Sequence, residues 1–193
     1  IFSDITITRI ASLNNDEILL ATNGAGIYKL NTSSYKTTPY LVNSTNHKDP
    51  IGNNISDIYI DSVSRVWIAN YPLGVTIRDD RYSANKIYTH TANNEQSLVN
   101  NTVNHVIEDS EGDLWFATDN GVCFYDNKEG KWHSFLSSAD ATCSEKCNVF
   151  LSICEDTPGI FYVGGYASNI YQIDKNKLKA EIISHEKFPQ TFI

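Results

Sequence analysis

The chain has 193 residues, with 15 Lys and Arg against 23 Asp and Glu, a formal net charge of −8, and 41% hydrophobic residues. Nucleic acid and acidic membranes would repel so anionic a surface, which excludes both as main partners. The hydrophobic fraction is enough for a core, so disorder is excluded too. The longest apolar runs, such as 18–21, fall far short of the roughly 20 residues that cross a bilayer. The chain begins at Ile1 and has no Met, so we expect a piece of a longer product.

Turn-forming and strand-forming residues together indicate an all-β protein. Asn, with 10 Gly and 5 Pro, supplies turns, and the aromatic content of 11% includes 11 Tyr. Asn and Gly accept positive φ, while Tyr, Ile, Val and Thr fit a pleated surface. This mixture favours many short strands joined by tight turns.

One pattern recurs four times along the chain and divides it into repeats of approximately 5–48, 49–98, 99–146 and 147–186. The large hydrophobic residue of the second strand recurs at intervals of 46 to 48 residues, and we take these four residues as equivalent: Leu19, Trp67, Trp115 and Phe161. A third strand follows in each copy, five residues from its first to its last position: 26–31, 74–79, 121–126 and 169–174.

Each repeat is predicted to contain four strands, which gives sixteen in all. In the first repeat the second strand covers 18–22, and in the second repeat it covers 66–69. The third repeat has the fullest pattern, with strands at 102–108, 114–118, 121–125 and 131–135. The fourth strands of the other repeats are predicted at 35–41, 86–91 and 178–184.

Four up-and-down strands repeated every 40 to 50 residues are typical of a β-propeller blade. One blade cannot bury both of its faces, so the four equivalent hydrophobic residues should fill the space between neighbouring sheets. A large aromatic residue buries on the order of 150 to 250 Å². We therefore predict one propeller segment over 1–193, with four four-stranded antiparallel blades.

The run Asn100 to Val122, NNTVNHVIEDSEGDLWFATDNGV, resembles the two-component-regulator propeller repeat. The second repeat is close to this pattern. The first departs from it at Leu13, where the turn Asp is expected, and at Leu19, where the Trp is expected. The fourth has Phe161 in place of Trp and Asn169 in place of Gly.

The resemblance implies the periplasmic sensor segment of a Bacteroides-type hybrid two-component histidine kinase and response regulator. Such sensors respond to oligosaccharides, dimerise and resemble sets of seven blades, so the four repeats would be an arc of a larger propeller. The segment itself would bind a ligand or transmit a signal and would not catalyse a reaction. It would contact neither nucleic acid nor the membrane. Two alternatives remain open: a propeller enzyme such as a lyase or glycosidase, and a purely structural or protein-binding propeller.

The aspartates of the first turn in the second, third and fourth repeats, Asp61, Asp109 and Asp156, are interpreted as structural. An Asp that opens a tight turn accepts hydrogen bonds from the backbone that follows it. The adjacent pairs Glu108/Asp109 and Glu155/Asp156 cannot flank one glycosidic bond, because neighbours on a strand point to opposite faces.

Metal and cofactor sites are not predicted, because the five His residues and four Cys residues lack ligand spacing. Cys143 and Cys147, in the connection between the third and fourth repeats, could be bridged in an oxidising periplasm. Cys123 and Cys154 lie on predicted strands and are interpreted as small buried hydrophobic residues.

A ligand is expected on the face where the loops between second and third strands emerge. Amides and aromatic rings suit a sugar, whose hydroxyl groups need donors and acceptors and whose C–H faces stack on rings. The same residue types are ordinary in turns. The candidate ligand-binding residues are Asn70, Tyr71, Asp119, Asn120, Tyr166 and Asn169.

Overall fold

The computed structural model describes residues 4–41, 52–81, 85–138, 148–166 and 170–183. These residues form sixteen β-strands in four antiparallel sheets. Sheet 1 contains β1 (Thr6–Ser12), β2 (Glu17–Asn23), β3 (Ile27–Asn31) and β4 (Thr37–Leu41); sheet 2 contains β5 (Ile55–Ile60), β6 (Val66–Asn70), β7 (Gly74–Arg78) and β8 (Lys86–Tyr88). Sheet 3 contains β9 (Val103–Glu108), β10 (Leu114–Thr118), β11 (Gly121–Asp126) and β12 (Lys131–Phe135); sheet 4 contains β13 (Phe150–Thr157), β14 (Ile160–Gly165), β15 (Tyr171–Asp174) and β16 (Lys179–Ile182).

Each sheet is a simple meander in which sequence neighbours pair side by side. The first strands of successive sheets contact one another, so β1, β5, β9 and β13 form the inner edge of the arc. The prediction of an all-β fold with four propeller blades is confirmed. The fourth strands of sheets 1, 2 and 4 are shorter than predicted, because the outer edge has a partner on one side only.

An aspartate and a tryptophan shape the turn between the first two strands of sheets 2 and 3. Asp109 Oδ1 accepts the N–H groups of Glu111 and Asp113, both at 2.9 Å, while its Oδ2 accepts the indole N–H of Trp115 at 2.8 Å. Asp61 makes the same bonds in sheet 2, with Trp67 Nε1 at 2.8 Å. In both sheets the carboxylate thus joins the turn to the tryptophan six positions later.

Apolar side chains fill each of the three spaces between neighbouring sheets. Leu19 is fully buried between sheets 1 and 2, Trp67 between sheets 2 and 3, and Trp115 between sheets 3 and 4. Trp115 lies against the ring of Phe161, with the centroids 3.8 Å apart. Burial of these residues holds the sheets side by side.

Phe161 is not equivalent to Trp115, although it is also fully buried. Phe161 faces back toward sheet 3, whereas Trp115 faces forward toward sheet 4. Tyr162, one position later, is the residue with the register of Trp115. Trp115 pairs with the residues two before Asp109 and two before Asp126, and Tyr162 pairs with those two before Asp156 and two before Asp174. A shift of one residue moves a strand side chain to the other face of its sheet.

Asp156 also departs from the expected equivalence. It lies exposed in β13, and Glu155 is the residue that accepts a hydrogen bond within this turn, from the N–H of Gly159 at 2.9 Å. The pairing of β13 with β14 shifts between Glu155 and Thr157, which changes the geometry of this turn from that at Asp109.

Backbone hydrogen bonds join each sheet to the next at a constant spacing. Three glycines at the start of the third-strand segment donate their N–H to an asparagine carbonyl that lies 27 residues later, just before the next inner strand. These bonds are Gly26 to Asn53 at 3.0 Å, Gly74 to Asn101 at 3.0 Å and Gly121 to Asn148 at 2.7 Å.

Polar side chains add further links between sheets at the Asp turns. Ser62 donates through both its N–H and its hydroxyl group to Glu108, and Ser110 does the same to Glu155, at 2.7 to 2.9 Å. Lys175 of sheet 4 reaches the turn of sheet 3, with Nζ 2.7 Å from Asp109 and 2.7 Å from Asp113. Its third contact is Glu111, at 2.8 Å.

Among the described residues, the inner strand of sheet 1 is more exposed than the inner strands of sheets 2 and 3. β1 is exposed along nearly its whole length, whereas β5 and β9 are mostly buried or half-buried.

No helix long and apolar enough to span a membrane occurs among the described residues.

Candidate functional site

The upper end of the arc is the end at which the second strand of each sheet turns into the third. Tyr71, Asp119 and Tyr166 occupy the same place in three successive sheets, and all three are exposed. Each donates its N–H to the carbonyl group just before the first strand of its own sheet: Tyr71 to Asn54, Asp119 to Thr102 and Tyr166 to Val149, at 2.9 to 3.1 Å. The predicted loops therefore present two tyrosines and an acid on one surface.

Asn70, by contrast, is unavailable to a ligand because it is 1% exposed. Its Nδ2 donates to Thr76 Oγ1 at 2.8 Å and to the Ile68 carbonyl at 3.2 Å. No described residue donates to its Oδ1. The expectation that Asn70 binds a ligand is therefore corrected: the residue still belongs to β6 and points into the protein.

Asn120 lies at the wall of a cavity at the upper end. Its Oδ1 accepts the N–H of Ser138 at 3.0 Å and lies 3.4 Å from Nδ2 of Asn148. The cavity has a volume of about 480 Å³. Apart from Asn120 its wall comes from the connection between sheets 2 and 3 and from the outer strand of sheet 3, and includes His90, Asn93, Asn94, Glu95, Ser97, Ser134 and Ser137. We call it the upper groove.

A second cavity, of about 460 Å³, continues the upper groove along the outer edge of sheet 3. The two cavities share Glu95, Ser134 and Ser137. Gln96 and β12 both line the second cavity, and Gln96 pairs with the edge of this strand: its side chain accepts the N–H of Trp132 at 3.0 Å and donates to the Trp132 carbonyl at 3.2 Å. An amide side chain thus takes the place of a neighbouring strand.

The chemistry of the upper groove suits an uncharged, hydroxyl-rich ligand. Its wall offers side-chain amides, hydroxyl groups, one histidine and one carboxylate, which together supply both donors and acceptors. A volume of this size lies within the usual range for small-molecule sites, about 300 to 1,000 Å³. The residues from 90 to 99 were not predicted as ligand residues, because nothing in the sequence indicates which sheet edge this connection lies against.

The inner edge of the arc carries polar side chains with a structural role. Thr8, Ser56 and Asn104 each donate to a carbonyl group of the next inner strand. Beside them, Asp57 Oδ2 accepts the N–H of Val106 at 2.8 Å, and His105 Nδ1 accepts that of Ile153 at 3.2 Å. These bonds link successive sheets around the axis.

Burial shifts the titration of both acceptors at the inner edge. Burial raises the pKa of Asp57 to about 6, although the hydrogen bond from Val106 and the nearby charge of Arg9, at 3.1 Å, oppose the shift. Burial, with a contribution from Arg9, lowers the pKa of His105. His105 therefore remains a neutral hydrogen-bond acceptor near neutral pH.

At the Asp turn of sheet 3, burial opposes ionisation of Asp109, yet the hydrogen bonds from Lys175 and Trp115 hold its pKa below the ordinary value. Burial likewise opposes the charge on Lys175, but its bonds to Asp109, Asp113 and Glu111 raise its pKa. An ammonium group thus occupies the space among these carboxylates, and no metal-ligating group of three side chains occurs among the described residues.

Some of the remaining predicted residues lie within the described part of the chain and others lie outside it. Cys123 is fully buried, as expected, and burial raises the pKa of its thiol to about 12. Cys154 is exposed, which corrects its interpretation as a buried hydrophobic residue: it lies on the face of sheet 4 turned away from sheet 3. Asn169, Cys143 and Cys147 lie outside the described residues.

One of the four repeats matches a known family model. Residues 97–120 match the family model described as the two component regulator propeller. The chain carries a two-component regulator propeller repeat. The match covers the last residues of the connection that lines the upper groove, the inner strand β9, the turn at Asp109 and the whole of β10. It confirms the resemblance inferred from residues 100–122. No curated protein matches the chain significantly.

Solved structures share the propeller fold. One is the extracellular domain of BT3049, a B. thetaiotaomicron protein described as a hybrid two component system, with a TM-score of 0.76 at 19% identity; the match covers 93% of this chain and 24% of that chain. Another is PorZ, a surface component of the type-IX secretion system of Porphyromonas gingivalis, with a TM-score of 0.67 at 13% identity, over 96% of this chain and 28% of that chain. The chain spans about a quarter of the length of these structures.

Proposed function

We propose that this chain is the ligand-sensing segment of a hybrid two-component receptor and that its upper groove binds an oligosaccharide. The observation that carries the proposal is the position of the groove. Ser97 and Asn120 line it and also lie within the two-component regulator propeller match. The likeness in fold to an extracellular domain of such a system supports the same role.

The groove offers what a neutral sugar requires. Hydroxyl groups of the ligand can pair with the amides of Asn93 and Asn94 and with the carboxylate of Glu95, which all line the cavity. Tyr71 and Tyr166, exposed at 51% and 71%, present rings at the same end of the arc. These groups orient a ligand without a nucleophile or a paired acid and base, so we propose binding without turnover.

In this proposal the segment lies in the periplasm, the parent protein forms a homodimer, and the signal passes to a histidine kinase. Neither nucleic acid nor membrane would contact the segment. The net charge of −8 supports that part of the proposal, since both surfaces are anionic.

The test is titration of the chain with a panel of neutral oligosaccharides, by calorimetry and by thermal shift. Glu95→Gln should weaken binding of the best ligand at least about tenfold, because a carboxylate bonds a hydroxyl group more strongly than an amide does. Glu129→Gln is the matched control, since Glu129 is exposed in the turn between β11 and β12, at the lower end of sheet 3 and away from the upper groove. Equal weakening by both substitutions, or no binding across the panel, would contradict the proposal. Formation of a cleaved product would favour the enzyme instead.

A further inference from the structure

A separate groove lies at the lower end of the arc, opposite to the upper groove. It has a volume of about 390 Å³ and opens between sheets 2 and 3. Its polar and aromatic lining consists of Arg65, Asp79, Lys86, Tyr88, Tyr125 and Asn127. We call it the lower groove.

The lower groove exists because one residue differs between successive sheets. Asn127 lies 48 residues before Lys175, at the corresponding place just after the third strand. Lys175 reaches across to the preceding sheet and fills the space between sheets 3 and 4. Asn127 instead turns toward its own sheet. Its backbone N–H donates to Asp113 Oδ1 at 2.9 Å, and its side-chain amide donates to the Gly112 carbonyl. The corresponding space between sheets 2 and 3 is therefore open.

One wall of the lower groove is aromatic and firmly supported. The centroids of the Tyr88 and Tyr125 rings lie 5.4 Å apart, with an angle of 42° between the ring planes. Trp67 stacks on Tyr88 with an angle of 9° between planes, and Trp132 meets it edge-on. Rings held in this way form a fixed platform for the C–H face of a ligand ring.

The groove also carries positive charge, unlike the chain as a whole. Lys86 Nζ lies 4.5 Å from the centroid of the Tyr88 ring and 5.9 Å from that of Tyr125. Within the described ranges no carboxylate lies in salt-bridge distance of Lys86. Arg65 lies over Trp67, and its Nε bonds Asp61. The acid at the rim, Asp79, is paired with Arg81 at 2.7 Å.

We propose that the lower groove binds an acidic sugar, with the sugar carboxylate at Lys86 and Arg65 and the sugar ring against Tyr88 and Tyr125. An ammonium group that lies on aromatic rings has lost part of its hydration, so a ligand carboxylate completes its coordination. The amide of Asn127 lies at the same wall and can pair with a ring hydroxyl group. The site is independent of the ligand that the upper groove binds.

The test is calorimetric titration of the 193-residue chain with D-glucuronate, D-glucose and acetate. D-Glucuronate should bind at least about tenfold more tightly than either of the others, because only it offers both a ring and a carboxylate. Lys86→Gln should weaken D-glucuronate binding at least about tenfold, and added salt should weaken it too. Lys36→Gln removes the same charge from an exposed residue of sheet 1 and should leave affinity within about twofold.

Three results would overturn the proposal. The first is the absence of D-glucuronate binding to the unmodified chain. The second is equal weakening by Lys86→Gln and Lys36→Gln, which would mean that only net charge matters. The third is acetate binding as tightly as D-glucuronate, which would mean that the aromatic wall contributes nothing. Because Lys86 is exposed, both variants should keep the unmodified melting temperature to within about 2 °C, which shows that they fold.

Discussion

The carboxylate of Asp109 and the indole N–H of Trp115 lie 2.8 Å apart and join the turn of sheet 3 to the residue that packs against sheet 4. One carboxylate oxygen holds the turn and the other holds the tryptophan. The carboxylate therefore orients Trp115, and the ring of Phe161 packs on it.

Asp109→Ala should lower the free energy of unfolding by roughly 3–5 kcal/mol, because it leaves the buried indole N–H and two backbone N–H groups without their acceptor and removes one of the three carboxylates that bind Lys175. Urea denaturation followed by tryptophan fluorescence measures the change. Asp156→Ala is the control, since this aspartate of the fourth repeat is exposed, and should change stability by less than about 0.5 kcal/mol. Similar losses in the two variants would show that the Asp109 contacts contribute little.

Lys175→Met should destabilise the chain by roughly 3–5 kcal/mol near neutral pH, because three carboxylates then lie together without a cation. The loss should shrink as the pH falls toward 4. Without Lys175 the pKa of Asp109 rises, and protonation removes the repulsion. Lys177→Met is the control, since its side chain is 75% exposed. A loss that stays constant between pH 4 and pH 7 would contradict this account of the cluster.

Stability should depend on pH through Asp57, whose pKa is raised from 3.8 to about 6. A raised pKa means that the folded state favours the protonated acid, so this contribution is present below about pH 4 and is lost as pH rises through 6. Asp57→Asn removes the titration, and the stability of this variant relative to the unmodified chain should rise by roughly 1–3 kcal/mol between pH 4 and pH 7.

Thermal unfolding at several pH values measures the effect of Asp57→Asn. His105 titrates with the opposite sign, because its lowered pKa costs stability as pH falls, and it is present in both chains, so it cancels in the difference. Asp16→Asn, at an exposed aspartate, serves as control and should show no such trend. A pH-independent difference for Asp57→Asn would show that Asp57 does not titrate in this range.

Gly121→Ala should be far more damaging than Gly112→Ala. Both glycines have positive φ, +100° and +88°, so both variants incur roughly 1–2 kcal/mol of backbone strain. At Gly121 a Cβ would also lie 2.6 Å from the Phe135 carbonyl oxygen and 2.9 Å from the Ser137 N, whereas at Gly112 its nearest neighbour is 4.0 Å away. Comparable denaturation midpoints for the two variants would contradict this difference.

The repeat pattern was sufficient to predict the fold, because a large buried residue and turn residues recur about every 47 residues and each interval contains four short strand patterns. The spacing failed at Phe161, where two aromatic residues, Phe161 and Tyr162, stand side by side. Either residue could be the counterpart of Trp115, and only the strand pairing shows which face of the sheet each one occupies.

Site residues were harder to predict, since burial depends on where a strand ends. Asparagine is common in loops, but Asn70 is the last residue of the buried strand β6, so its amide donates to Thr76 and not to a ligand. The upper groove was missed because its two walls, the connection from 90 to 99 and strand β12, are distant in sequence. Their proximity follows in part from the bond between Gln96 and Trp132, which has no signature in the sequence.

Lys175 also has a consequence for the order in which the arc becomes stable. The acidic turn at Asp109 is neutralised by a side chain from the next blade, so sheet 3 reaches its full stability only after its neighbour has docked. A truncation after residue 138 would remove Lys175 and leave these three carboxylates close together on the newly exposed face of sheet 3. Blades of this arc are therefore not interchangeable modules, and the third cannot be excised without the fourth.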